Sequence, residues 1–189
     1  MATLIKKRLL LIILCSILPL VLLNSCNDSK LAKEVVGTWK LKISVDEGSE
    51  HTYYHFNENG MFTETTYYYL SEVGDGIEVV VKYASTITGT WEVLVGDLDL
   101  TYDVSTLKVN YLGMKFPGST GFEENFANAL MESLFSDLIK ESKDELYDIV
   151  EDYYCEETVF ANITISGNKM KATIGDETHF LNRVDDSKE

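Results

Sequence analysis

Between residues 35 and 112, apolar and polar side chains alternate with a period of two, and glycine-bearing turns cut the alternation into runs. Trp39, Leu41, Ile43 and Val45 alternate with Lys40, Lys42 and Ser44. That period places one set of side chains on each face of a half-buried β-strand. Tyr53 to Phe56 and Met61 to Leu70 read as the next two strands, with the hairpin dipeptide Asn59-Gly60 between them. Ile77 to Tyr83, Ile87 to Val95, Leu98 to Tyr102 and Leu107 to Leu112 follow, with Gly74-Asp75-Gly76 and Gly96-Asp97 as turns. After Cys155 the pattern returns. Thr158 to Ser166 sets Val159, Ala161, Ile163 and Ile165 against Phe160, Asn162 and Thr164; Met170 to Ile174 and Thr178 to Val184 complete it. About ten short strands with tight turns predict an antiparallel meander. Closing such a sheet into a barrel removes its exposed edges.

The alternation stops at Pro117-Gly118-Ser119-Thr120-Gly121, a cluster that suits neither a strand nor a helix interior. Phe122, Phe126, Leu130, Leu134 and Leu138 then recur every four residues with Ala129 beside them, and Leu146, Ile149, Val150 and Tyr153 resume the stripe. This is a core-facing helical pattern. Thr120 with Glu123, and Ser142 with Glu145, are capping-box starts. An unbroken helix over the span would be about 50 Å long, so two helices or one broken helix are expected in an insertion over 119–154.

Three cysteines are present: Cys15, Cys26 and Cys155. Lys6, Lys7 and Arg8 precede an almost wholly apolar run from Leu9 to Leu23, followed by Asn24-Ser25-Cys26. The run is short for a bilayer span and has the charge order of an export signal. Leu23-Asn24-Ser25-Cys26 resembles the lipobox of bacterial lipoproteins. That resemblance implies cleavage before Cys26 and a diacyl or triacyl group on its thiol, enough for stable anchoring. The alternative, an uncleaved membrane anchor, lacks a basic stop-transfer cluster. On the lipobox reading, 1–25 is the signal, 26–34 a polar tether and 35–185 the domain. Cys155 then has no disulfide partner, so the fold depends on its core. Without the signal, 13 basic residues face 31 acidic ones, net −18. Such a charge disfavours nucleic acid and anionic lipid headgroups as partners.

Gly37-Thr38-Trp39 opens the first strand and resembles the Gly-x-Trp signature of lipocalins. Gly89-Thr90-Trp91 repeats it, with Phe56-Asn57-Glu58-Asn59-Gly60-Met61-Phe62 between and Asp97-Leu98-Asp99-Leu100-Thr101 after. The combination is similar to the lipocalin-like lipoproteins of Bacteroidetes, over roughly 35–112 and 157–184. The fold class expected is therefore mainly β, a lipocalin-like barrel with a helical insertion. The resemblance implies that Arg183, near the end of the last strand, stacks over Trp39. A tryptophan there plugs the closed end whatever the family.

The chain shows no Gly-x-Ser-x-Gly, His-Glu-x-x-His or phosphate-binding glycine loop, and no cofactor or metal is expected. His51 and His55 share a strand face about 13 Å apart, too far for one ion; with His179 they read as surface residues. Asp97, Asp99 and Asp103 are a partial match to a calcium loop, but Tyr102 and Lys108 stand where glycine and glutamate are required. Acidic neighbours of Cys155 suppress its thiolate.

Tyr53, Tyr54, Tyr67, Tyr68 and Tyr69 cluster on adjacent strands. With the Phe62 face inward, Glu64, Thr66 and Tyr68 point into the barrel, and Tyr67 and Tyr69 point outward. Glu64 is then a polar hook in an apolar interior. The leading expectation is a lipid-anchored cell-envelope protein, non-enzymatic, on the outer membrane. It binds a small apolar or amphipathic ligand through Tyr54, Phe56, Phe62, Glu64, Tyr68 and Trp91. The alternative is a filled barrel that contacts a protein or glycan partner through Tyr67, Tyr69 and the helices. The two differ in whether Phe122, Phe126, Leu130 and Leu134 fill the barrel mouth.

Overall fold

The computed structural model describes residues 28–45, 48–74, 77–115, 126, 129–130, 133, 136–154 and 158–184. Eight antiparallel strands form a closed up-and-down barrel in sequential order, the architecture of a lipocalin-like barrel. They are β1 (Gly37–Val45), β2 (Gly48–Phe56), β3 (Met61–Gly74), β4 (Ile77–Leu94), β5 (Asp97–Lys115), β6 (Thr158–Ser166), β7 (Lys169–Ile174) and β8 (Glu177–Arg183). Residues 28–35 form helix α1 ahead of β1, and helix α2 (Ser136–Tyr154) lies between β5 and β6.

The expected ten short strands are eight because two pairs are continuous. Ala84-Ser85-Thr86 holds no turn residue, so β4 runs through it. The extra length of β5 is absorbed where Thr88 pairs Asp103 while Thr86 pairs Lys108. Asp103 Oδ1 accepts from Ser105 N and Oγ, and Thr106 Oγ1 donates to the Asp103 carbonyl and accepts from Thr88 N. The bulge therefore has side-chain partners where the ladder lapses. A second bulge corrects the reading of β6. Asn162 has φ 53°, and the register shifts between Ala161 and Thr164. Phe160 is consequently buried and Val159 exposed, while Ile163 beyond the bulge is again buried.

The leader 28–34 is not a simple tether. Asp28 Oδ1 and Oδ2 accept from the amides of Gly96 and Val95 at 2.9 and 3.1 Å, and Leu31, Ala32, Val35 and Val36 pack on the core. Spacings of three and four residues put Leu31, Ala32 and Val35 on one side of the helix, and Val36 follows in the link to β1. The second helix start expected at Ser142 is also absent. Lys140 to Glu145 contains good helix formers and no glycine or proline, and α2 continues through it.

The larger core fills one end of the barrel with Trp39, Phe56, Phe62, Trp91, Leu98, Leu100, Phe160, Met170 and Leu181. A smaller one joins α2 to the other end through Ile87, Leu107, Val109, Val150 and Tyr154. Both narrow seams lie at the filled end. β1 pairs β8 at Trp39↔Arg183 and Lys40↔Asn182, and β5 pairs β6 over Leu98 to Leu100. Beyond them the strands part, which leaves the opposite end for the helix.

Candidate functional site

Between α2 and the inner faces of β1, β2 and β3 lies a cavity of about 560 Å³. Its wall is formed by Leu41 and Ile43 of β1, Glu50, Thr52 and Tyr54 of β2, and Glu64, Thr66, Tyr68 and Leu70 of β3. Helix α2 roofs it with Leu146, Ile149, Val150, Tyr153 and Tyr154, and Ile174 and His179 complete the rim. The helix leans on β5, so space remains on the side of the first three strands. Phe126 and Leu130 do not fill this space: both are exposed. Phe122 and Leu134, expected beside them, lie outside the described residues, as do Cys26 and Cys155.

The floor of the cavity is Glu64, which is 4% exposed. Its Oε2 accepts from Tyr102 Oη at 2.7 Å, and its Oε1 accepts from Thr66 Oγ1 at 3.2 Å and from Tyr154 Oη. Thr66 Oγ1 lies 3.1 Å from Thr52 Oγ1, extending the network across β2 and β3. Burial pushes the Glu64 carboxyl above the ordinary glutamate value; bonds from Tyr154, Tyr102 and Thr66 work against that rise. The tyrosine hydroxyls respond to burial and to Glu64. Those of Tyr54, Tyr102 and Tyr154 are raised well above the usual value, and burial lifts Tyr68 to about 12. Glu64 thus joins strand β3, strand β5 and the last turn of α2 through one buried carboxyl.

Of the six residues predicted to bind ligand, Tyr54, Glu64 and Tyr68 line the cavity. Phe56, Phe62 and Trp91 are corrected to the filled end. All three face inward, but they lie at the strand ends next to the Asn57–Gly60 turn. Trp91 Nε1 donates to the carbonyls of Asn57 and Met61, and its ring meets Phe56 edge-on at 5.6 Å. Gly89, just before it, leaves no room for a side chain: a Cβ would lie 2.2 Å from the Thr101 carbonyl oxygen. Trp39 is fully buried, donates Nε1–H to the Val35 carbonyl at 2.6 Å, and carries the Arg183 guanidinium 4.3 Å from its ring centroid.

The outer residues fall as the strand parity requires. Tyr67 meets Tyr53 edge-on, Tyr69 packs on His51, and His55 Nδ1 lies 2.8 Å from Thr38 Oγ1. His179 is corrected from the surface to the cavity rim, with Nε2 3.8 Å from Glu177 Oε2. Glu50, Thr52 and Tyr154 are the main omissions of the sequence reading. Extending the parity of Tyr54 back along β2 selects the first two. Tyr154 carries no such signal, since the helical stripe passes through Tyr153.

Among the described residues, no group of histidine, cysteine or acidic side chains is arranged to hold a metal ion, and no helix is long and apolar enough to cross a membrane. No protein-family model matches the chain, and no curated protein matches it.

Proposed function

We propose that this is a lipid-anchored, non-enzymatic binding protein of the cell envelope, similar to the lipocalin-like lipoproteins of Bacteroidetes. It takes a small apolar or amphipathic molecule into the cavity beneath α2. The observation that carries this reading is the cavity itself: about 560 Å³, walled by apolar and hydroxyl groups, within the range of small-molecule sites. Trp39 and Trp91 are remote from it in the filled end, so a neutral apolar dye is a better reporter than intrinsic tryptophan fluorescence. N-phenyl-1-naphthylamine is expected to bind saturably with enhanced emission. Ile43→Trp, which places an indole in the cavity, is expected to weaken binding by roughly tenfold. Dye uptake that Ile43→Trp leaves unchanged counts against the reading.

The anchor is assigned to Cys26 on the lipobox resemblance, and the outer membrane is the expected location. Asp28 is only two residues away in sequence and is tied to the β4–β5 turn. A lipid on Cys26 would hold the Trp39 end of the barrel toward the bilayer and leave the α2 end facing away. Cys26→Ala is expected to move the protein from the membrane fraction to the soluble fraction; retention in the membrane refutes the assignment. The alternative protein or glycan partner has Tyr67 and Tyr69 available on the outer wall. The filled barrel that accompanied that alternative is disfavoured by the cavity.

A further inference from the structure

We propose that the cavity selects cationic amphiphiles, an alkylamine or alkylammonium, with Glu50 as the counter-charge for the head group. This deepens the binding reading above and rests on it. Among the described residues, the carboxyl groups on the cavity wall are those of Glu50 and Glu64, and neither lysine nor arginine lines it. Lys40 and Lys42 flank the same strands, but they alternate with inward Leu41 and Ile43 and so occupy the outer face. The titratable group at the rim, His179, stands beside Glu177.

The two carboxyls are not equivalent. Glu64 is already engaged at the floor by Tyr102, Thr66 and Tyr154. Glu50 faces Tyr68 across β3 and Ile43 across β1. Among the described residues it makes neither a hydrogen bond nor an ion pair. Its partial burial pushes its carboxyl up, as expected for a desolvated acid lacking a compensating charge. A cation brought there supplies that charge, and the nearby ring of Tyr68 offers a π-face to it. Leu41, Leu70, Ile149 and Val150 give an alkyl tail an apolar bed. An anionic head group would instead meet two carboxyls inside a protein of net charge −15.

The test uses the purified full-length chain and three dodecyl compounds matched in tail: dodecyltrimethylammonium, dodecanol and dodecanoate, below their aggregation limits. Each competes with N-phenyl-1-naphthylamine, and dodecyltrimethylammonium binding is also measured directly by calorimetry. The ammonium compound is expected to displace dye at a concentration roughly tenfold below that of the carboxylate. Glu50→Gln is expected to erase this preference, and Glu50→Lys to reverse it; circular dichroism checks that both variants fold. Equal competition by cation and anion overturns the proposal and leaves the cavity reading standing, as does a preference that survives Glu50→Gln. Ammonium binding by calorimetry without dye uptake upholds the proposal if it is lost in Glu50→Gln, and overturns it if it is not. Absence of both dye and ammonium binding removes the cavity reading, and this proposal with it.

Discussion

Arg183 acts on three groups at once. Its guanidinium covers the Trp39 ring, and its Nη1 and Nη2 donate to the carbonyls of Val36 and Glu34 at 2.7 and 2.5 Å. The acceptors lie at the end of α1 and in the link to β1, so one planar cation joins the leader, the first strand and the last. Gly37 makes room for it: φ is +121°, and a Cβ there would fall 2.7 Å from Nη1. Lysine keeps the charge but loses the fork that reaches two carbonyls. Arg183→Lys is therefore expected to destabilise the fold by about 1–3 kcal/mol, and Trp39→Ala by about 3–5 kcal/mol. Urea unfolding monitored by circular dichroism measures both, and an unchanged midpoint in Arg183→Lys refutes this role. The two residues could be chosen from sequence because the resemblance to lipocalins sets an arginine near the end of the last strand over the tryptophan that opens the first. Their carbonyl partners could not, since every residue carries a carbonyl and only the folded path selects Glu34 and Val36.

At the scale of elements, the strands were legible wherever the alternation held and misread where a bulge changed its phase. A bulge at Asn162 reversed the faces of Val159 and Phe160, and nothing in Phe-Ala-Asn-Ile announces it. The helix posed a different difficulty. Its periodicity marked α2 as amphipathic, yet Ile149 and Tyr153 remain largely exposed while Val150 and Tyr154 are buried. Neighbouring residues on a helix differ by about 100° in direction, so a small rotation of the docked face changes which of them is covered. Tyr154 fixes that rotation by donating to Glu64. Tyr154→Phe leaves Glu64 with Tyr102 and Thr66 and removes one hydrogen bond to its buried carboxyl, a loss of about 1 kcal/mol. Because that bond holds the helix and not the strand ladder, amide exchange over 136–154 is expected to accelerate more than exchange in β1 and β2. Uniform acceleration across the barrel would contradict a local docking role.

For the molecule as a whole, buried hydroxyls and carboxyls make stability depend on pH in a definite direction. Glu50 and Glu64 have folded-state values above the ordinary one, so the fold retains these protons more strongly than the unfolded chain. Their contribution is fully present below the usual glutamate range and is lost as pH rises through the folded-state values. His51, lowered mainly by burial and then by Lys40 and Lys42, acts oppositely: its contribution is lost as pH falls through the histidine range. The tyrosines provide the clearer readout. Tyr54, Tyr68, Tyr102 and Tyr154 are all raised by burial, so their contribution is intact below pH of about 10 and is lost above it. The fold is thus expected to unfold on the alkaline side. These four tyrosines should ionise only as the barrel opens, so the last rise in tyrosinate absorbance should coincide with loss of the β-sheet circular dichroism. Removing the Tyr154 hydroxyl with Tyr154→Phe should delete one tyrosine from that late step. Ionisation of these four with the sheet signal intact would mean that their hydroxyls reach water in the folded protein and that the cavity floor is not sealed.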